Sequence, residues 1–399
     1  MLRDKLHRLS DHVTHSNKSS KNDYPNERYR RLSDILGGEL DINNNGTFIR
    51  IISEFRDTYN HGRTMLMDLD PSAVFKTRHF GYDDPSEYAV EKLLFLDTET
   101  TGLGGSGTVA FLVGVGSVTK DGFRVRQYFL PDFSDEEAML EAVREEIKAD
   151  TVLVTYNGKA FDMPILADRM IIQRVERNLK AADHIDLLHT VRRLYRRRLK
   201  DCSLSNIERN ILEFYREDDL PGHLVPSVYF NWLATDSTDL IDKIAEHNLN
   251  DIISLFFLMH HLQLVQVDPA GNIREPDDVL SLARILERRR EHEHICGVLE
   301  DFRDLAADHR RYDILLIQSL AYKRRGCWPE AAALWDKIAN RDCPEAFAAR
   351  IELAKYFEHR LRDPQKALYQ ALEARKICPA RPALAADVQK RINRLTGKS

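Results

Sequence analysis

The stretch LLFLDTETTGLGGSGTVAFLVGVGSV, residues 93–118, constrains the fold more than any other part of the chain. An apolar run that reads as a strand leads into GLGGSG, which satisfies the glycine pattern of a dinucleotide-binding turn. Such a turn needs a helix to open at its last glycine, because the helix N-terminus supplies the amides and partial positive charge that hold a pyrophosphate. The next residues are instead TVAFLVGVGSV, dense in valine, phenylalanine and small residues and lacking a polar helical face. They read as a second strand, so the glycines join two strands of a hairpin.

Asp97 and Glu99 close the first strand. Residues i and i+2 of a strand share a face, so these carboxylates converge at a sheet edge. Left alone they repel and resist ionisation, whereas divalent cations between them make the arrangement favourable. Two solvated acids at a strand end would be the plain reading if no others joined them. NGKAFDMP places Asp162 at a helix start just after the apolar strand TVLVTY. EHNLNDIISL places His247 and Asp251 four residues apart, one above the other on a helix whose Ile244, Leu255 and Leu258 face the core.

Around these motifs the chain alternates in a readable way. LLFLD, TVAFLVGVGSV and FRVRQYFL form an antiparallel meander. SDEEAMLEAVREEIKA comes next as a helix with Ser134 as its cap. TVLVTY is a strand, NGKAFDMPILADRMIIQ turns into a helix, and HIDLL is a further short strand before a mainly helical stretch to residue 263. The expected fold class is α/β: a mixed sheet, antiparallel meander plus parallel strands, flanked by helices. Residues 1–25 are polar and read as a disordered tail, 26–90 as an irregular N-terminal extension packed on the domain, and 91–265 as that domain.

From residue 277 to 399 the pattern is almost wholly helical, and it repeats. LAYKRRGCWPEAAALWDKIA and LAKYFEHRLRDPQKALYQALEA are offset by a period close to the ~34 residues of tetratricopeptide helical hairpins. Pro329 and Pro364 stand at equivalent places, each opening a second helix. An array this short is expected to dock on the rest of the chain or to contact a protein partner. His292, His294 and Cys296 fan around a helix axis instead of converging, and Tyr322, Trp328, Trp335 and Tyr356 read as core.

Bulk properties narrow the setting. No apolar run reaches the ~20 residues of a membrane span, and the N-terminus lacks the apolar core of a secretory signal. Five scattered cysteines without a CxxC pair point to neither disulfides nor zinc, so a reducing, cytoplasmic setting is expected. The net charge of −5 argues mildly against nucleic acid, yet RRLYRRRLK at 192–200 and RRR at 288–290 are strongly basic.

Asp97 and Glu99 in DTETTGL, Asp162 in NGKAFDMP and Asp251 in HNLND resemble, in order, the motifs of the DEDD exonuclease superfamily, and within it a YprB-like bacterial branch. The likeness spans roughly residues 30–263, taking in LSDILGG, HGRTML, DCSLSNIERNIL and GHLVPSVYFNWL. It implies a ribonuclease H-like fold and a metal-dependent, 3′-to-5′ nuclease acting on DNA or RNA. It implies two ions, Mg2+ or Mn2+, held by Asp97, Glu99, Asp162 and Asp251, with His247 as general base. One departure stands out. His247 lies four residues before the last aspartate, where the family's histidine branch has five and its tyrosine branch four, so Asn248 or a water is the other candidate for that role. Leu103 and Asn157 fall where relatives touch the terminal nucleotide, and Arg192, Arg196 and Lys200 would share a helical face near the site and contact phosphates. The competing expectation is a catalytically weak nucleic-acid-binding or scaffold protein that uses its repeats for protein contacts.

Overall fold

The computed structural model of the chain describes residues 27–68, 74–80, 86–102, 104–105, 107–175, 181–302 and 311–397. The tail expected at residues 1–25 and the candidate nucleotide contact Leu103 lie outside them.

The central sheet has seven strands: β1 (Glu39–Asn43), β2 (Gly46–Phe55), β3 (Leu93–Thr100), β4 (Ala110–Thr119), β5 (Gly122–Phe129), β6 (Val152–Thr155) and β7 (Asp183–Asp186). They run in the order β1-β2-β5-β4-β3-β6-β7. β3, β4 and β5 form the expected antiparallel meander, and β6 lies parallel to both β3 and β7. This is a ribonuclease H-like mixed sheet flanked by helices. GLGGSG lies in the connection between two antiparallel strands, with Gly104 and Gly105 at φ +129° and +99°. Among the described residues no helix opens there and strand β4 follows instead, so the dinucleotide reading is excluded.

Part of the N-terminal extension belongs to the sheet itself. After helix α1 (Glu27–Leu36), the hairpin β1–β2 pairs with β5 and extends the meander to the edge. In GTFIRIISEF Phe48, Ile49 and Ile51 are buried while Ile52 and Glu54 are exposed, so this strand, paired on both sides, covers one face along its second half.

Helix α2 (Glu136–Glu146) follows β5, α3 (Asp162–Ile172) follows β6, and α4 (Leu187–Tyr195) follows β7. The cap ahead of α2 differs from the expected Ser134. A single tight turn, Phe133–Asp135, precedes the helix, and the Asp132 carboxylate accepts from the Ser134 backbone N–H at 3.0 Å. Beyond α4 come α5 (Val225–Thr235) and the long α6 (Ile241–Val267).

β3 separates two cores. Leu93 and Phe95 belong to the one that includes α6, whereas Leu94 and Leu96 belong to the one that includes α2 and α5. Phe95 packs edge-on against Phe256 of α6 at 5.4 Å, so the face carrying Phe95, Asp97 and Glu99 is the face that α6 crosses. Two glycines on β4 let the helix in. A Cβ on Gly114 would lie 2.2 Å from Asn248 Oδ1, and one on Gly116 would lie 2.5 Å from Ile252 Cγ2. Gly114→Ala is therefore expected to destabilise the chain by about 1–3 kcal/mol through overpacking, read as a lower urea midpoint at unchanged m-value.

The C-terminal region is all helical: α7 (Pro276–Arg288), α8 (His292–Asp301), α9 (Tyr312–Arg325), α10 (Trp328–Ala339), α11 (Ala346–Tyr356), α12 (Pro364–Lys376) and α13 (Pro382–Thr396). The repeated sequence maps onto the pairs α9–α10 and α11–α12, and Pro329 and Pro364 lie in the first turns of α10 and α12. Trp335 is fully buried, and Trp328 stacks on Tyr356 at 6.3 Å. One continuous core runs from Phe95 and Val154 in the sheet through Leu255 and Leu262 of α6 to Val279 and Leu286 of α7, and on to Leu315 and Trp335. Arg198 reinforces this seam by donating to Asp278 of α7 at 2.9 Å.

Candidate active site

Asp97 and Glu99 project from β3 toward α6. The first turns of that helix present His247, Asn248 and Asp251 on one side, while Ile244, Leu255 and Leu258 are buried as the pattern required. Asn248, fully buried, donates from Nδ2 to Asp97 Oδ2 at 2.9 Å. Gln127 of β5 fixes that amide by donating to Asn248 Oδ1 at 2.9 Å and to the Ala245 carbonyl at 2.8 Å. The orientation of Asn248 is thus set from behind. Its role is that of a brace on Asp97.

Asp162 opens α3, where a carboxylate suits the helix macrodipole. Thr98, on β3 between the two acids, donates to Asp162 Oδ1 at 2.5 Å. Burial pushes the Asp97 carboxyl well above its usual range, and Asp251, Asp162 and Glu99 push it further. Burial also raises Glu99, to about 8, against the opposing pull of His247 and with Asp251 and Asp162 adding to the rise. Asp162 is raised by burial too, with the Thr98 hydrogen bond opposing. The mutual effects place all four acids in one electrostatic cluster.

His247 and Asp251 stand one turn apart, with His247 Nε2 3.9 Å from Asp251 Oδ2. The other ring nitrogen, Nδ1, lies 2.8 Å from Asp219 Oδ1 and 3.4 Å from Arg216 Nη1. One nitrogen cannot serve both. The shorter contact makes Nδ1–H the donor to Asp219 and leaves the Nε2 lone pair toward the acids. Burial alone would lower the imidazole pKa, but Asp251, Glu99 and Asp219 outweigh it and raise it.

Glu99, His247 and Asp251 each offer a ligand atom, and these atoms lie within 4.8 Å of one another. Asp97 and Glu99, pushed upward by burial and then by neighbouring acids, mark a site short of positive charge. The carboxylate oxygens suit a hard divalent cation such as Mg2+ or Mn2+, with the imidazole standing beside them as a base. The residues present therefore fit the metal that the motifs imply.

The remaining candidates are distributed around this cluster. Asn157, at φ +69°, turns the chain between β6 and α3. Its backbone N–H donates to Asp186 Oδ1 at 2.9 Å, so the buried Asp186 both holds this loop and caps α4 through the Leu188 N–H. Arg192 is exposed on α4, and Tyr156, adjacent to Asn157, feels its charge. The helix stops at Tyr195. Arg196 and Lys200 therefore do not extend its face; Arg196 caps it, with both Arg192 and Arg196 acting electrostatically on Cys202. Arg193 and Arg198 of the same run serve the fold, donating to the Phe80 carbonyl and to Asp278.

Three polar residues here were not singled out from sequence. Asp219 and Arg216 come from the irregular stretch EFYREDDLPGH, and Asp186 ends HID. Arg216 donates to Asp251 Oδ1 and to both oxygens of Glu208. The only local signal was an arginine among acids in a turn-rich segment, which is the usual pattern of a solvated loop.

Residues 94–263 match the family described as the RNase_H superfamily. Over 295 residues the chain is 36% identical to the Bacillus subtilis (strain 168) protein described as "Uncharacterized protein YprB", covering 71% of this chain and 69% of that protein. The family B DNA polymerase from the hyperthermophilic archaeon Pyrobaculum calidifontis is a structural neighbour at a TM-score of 0.35 and 16% identity, over 73% of this chain. The match takes in 38% of the polymerase's length, and so loose a superposition carries no functional weight. With two thirds of the Bacillus protein aligned and the sheet order of a ribonuclease H-like fold, the chain belongs to the YprB family and carries an RNase H superfamily domain at residues 94–263.

Proposed function

We propose that the protein is a DEDD-type nuclease that hydrolyses phosphodiester bonds of DNA or RNA with two divalent ions, working 3′ to 5′. The observation that carries this reading is the convergence of Glu99, His247 and Asp251, whose ligand atoms lie within 4.8 Å of one another, with Asp97 on the same face of β3 and Asp162 tied to Thr98 of that strand. Asp97, Glu99, Asp162 and Asp251 would hold the ions, Mg2+ or Mn2+. When bound, such ions activate a water and offset the charge that builds on phosphate and leaving oxygen. His247 accepts the proton of the attacking water at Nε2, and Asp219 stabilises the imidazolium that results by accepting from Nδ1. Asn248 keeps Asp97 in place throughout.

Leu103, Asn157, Arg192 and Arg196 are assigned to the substrate strand. Exposed guanidiniums that meet phosphates bind without regard to sequence and lose affinity as salt rises. Helices α9 to α12 form a tetratricopeptide-like array for a protein partner. No helix among the described residues is long and apolar enough to cross a membrane.

The test is incubation of 5′-labelled single- and double-stranded DNA and RNA with the full chain and Mg2+ or Mn2+, beside Asp97→Ala. Metal-dependent shortening from the 3′ end, absent in the variant, supports the reading. Binding without cleavage under every condition replaces it with the scaffold alternative.

A further inference from the structure

Behind the candidate site a second chain of polar groups runs through the core and ends in a hairpin that the proposed chemistry does not use. Arg216 has a side chain only 7% exposed. Its guanidinium donates to Glu208 through Nε at 2.8 Å and Nη2 at 2.5 Å, and to Asp251 Oδ1. Glu208, 1% exposed, also accepts from Ser254 Oγ. Ser254 Oγ lies 2.9 Å from His61 Nε2, and Tyr59 OH lies 3.2 Å from His61 Nδ1. The rings of Phe214 and Phe257 stack against His61 at 3.9 and 4.9 Å.

Only one set of proton positions satisfies this chain. Glu208, a carboxylate paired with a guanidinium, takes the Ser254 hydroxyl proton, so the Ser254 oxygen must accept from His61 Nε2–H. His61 Nδ1 then accepts from the Tyr59 hydroxyl. A neutral imidazole is required, and deep burial enforces it. The single guanidinium faces three carboxylates, Glu208, Asp251 and, at 3.4 Å, Asp219. With Oδ1 held by Arg216, Oδ2 is the oxygen turned toward His247 Nε2, at 3.9 Å.

We propose that Arg216 is a positioning residue that orients Asp251 for the cation, and that the Glu208–Ser254–His61 chain makes the hairpin at residues 60–65 a structural part of the site. The inference rests on the proposed metal-dependent nuclease reading. Arg216 acts through its neighbours, chiefly Asp251, with Nη1 also 3.4 Å from both Asp219 Oδ2 and His247 Nδ1. A lysine retains the charge but not the planar fork that spans two carboxylates at once.

The experiment uses the full chain without nucleic acid and has two readouts: Mn2+ affinity by calorimetry, and the ring 15N signals of His247 in the metal-free protein. Arg216→Met and Glu208→Gln are expected to weaken Mn2+ binding by about tenfold or more, as losses of groups that orient metal ligands do. Arg216→Lys is expected to fall between them and the wild type. Ser254→Ala, which removes one hydroxyl and adds no ring, is expected to weaken binding in the same direction and to move the His247 signals. Wild-type affinity in Glu208→Gln and Ser254→Ala, with unmoved His247 signals, overturns the proposal. If the wild-type chain itself takes up no Mn2+, the nuclease reading fails, while the His247 signals of Ser254→Ala still decide whether the chain positions this site. Should Arg216→Met not fold, Glu208→Gln and Ser254→Ala carry both readouts.

Discussion

Asp97→Asn is expected to lower metal-dependent hydrolysis by about a thousandfold, equivalent to about 4 kcal/mol of barrier, while raising the melting temperature of the metal-free chain. The two effects share one cause. Asp97 is a partly buried carboxylate pushed upward by desolvation and by Asp251, Asp162 and Glu99, so its ionised form is disfavoured in the folded chain without cations. An acid whose folded pKa lies above its unfolded value weakens the fold once the pH exceeds the unfolded pKa, increasingly so up to the folded pKa. The amide removes that penalty and can still accept from Asn248 through its oxygen. The gain in melting temperature should therefore grow as the pH rises above the ordinary carboxylate range and fade toward pH 4. Saturating Mn2+ should reverse the ranking, because the wild type gains from binding and the variant does not. Thermal melts of both proteins at two pH values, with and without Mn2+, check all four corners. A variant that melts lower than the wild type without metal would show that Asp97 does not sit in an excess of negative charge.

The second large effect is on acid stability and concerns His261 on α6. Its ring is fully enclosed, with Nε2 2.7 Å from Tyr195 OH and Nδ1 3.4 Å from Arg63 Nη2. Burial, with Arg63 adding to it, pushes its pKa down to about 3. Proton counting sets the sign. Below about pH 6.5 the unfolded chain takes up a proton that the folded chain refuses, so stability is lost as pH falls from there toward 3. Between pH 7 and 5 one such histidine costs about 2 kcal/mol. The raised carboxyls of Asp97 and Glu99 act in the opposite sense over the same range, which leaves the wild-type profile a sum of cancelling parts. A difference isolates the histidine. His261→Gln is expected to show about 2 kcal/mol less loss between pH 7 and 5 than the wild type, measured by urea unfolding at both values. His61, also depressed to about 3, should behave the same way. Equal losses in wild type and His261→Gln would mean that the ring is protonated within the fold.

How much of this could be read from the chain depended on whether a contact is periodic. The strand β3 and its two acids were legible because alternation sends Phe95, Asp97 and Glu99 to one face and Leu94 and Leu96 to the other. His247 and Asp251 were legible because a helix brings residues four apart together. Asp219 and Arg216 were not, since each meets the site across about thirty residues from a loop without a repeat. The edge hairpin β1–β2 lies between these cases. GTFIRIISEF is rich in β-branched and aromatic residues, but nothing in it names β5 as its partner. In the basic run at 192–200 the residue types were visible and their division of labour was not. Arg193 and Arg198 are tied into the fold, and a helix that ends at Tyr195 breaks the expected face.

The unbroken core from Phe95 to Trp335 bears on how such a chain can be inherited. A gene fragment encoding only residues 94–263 would cut through a single core in which Val191 and Leu194 of α4 and Leu262 of α6 sit with Val279 and Leu286 of α7. The array behind the sheet is thus no detachable cassette. It would have to be gained or lost together with a rewritten surface on α4, the helix that α7 packs against.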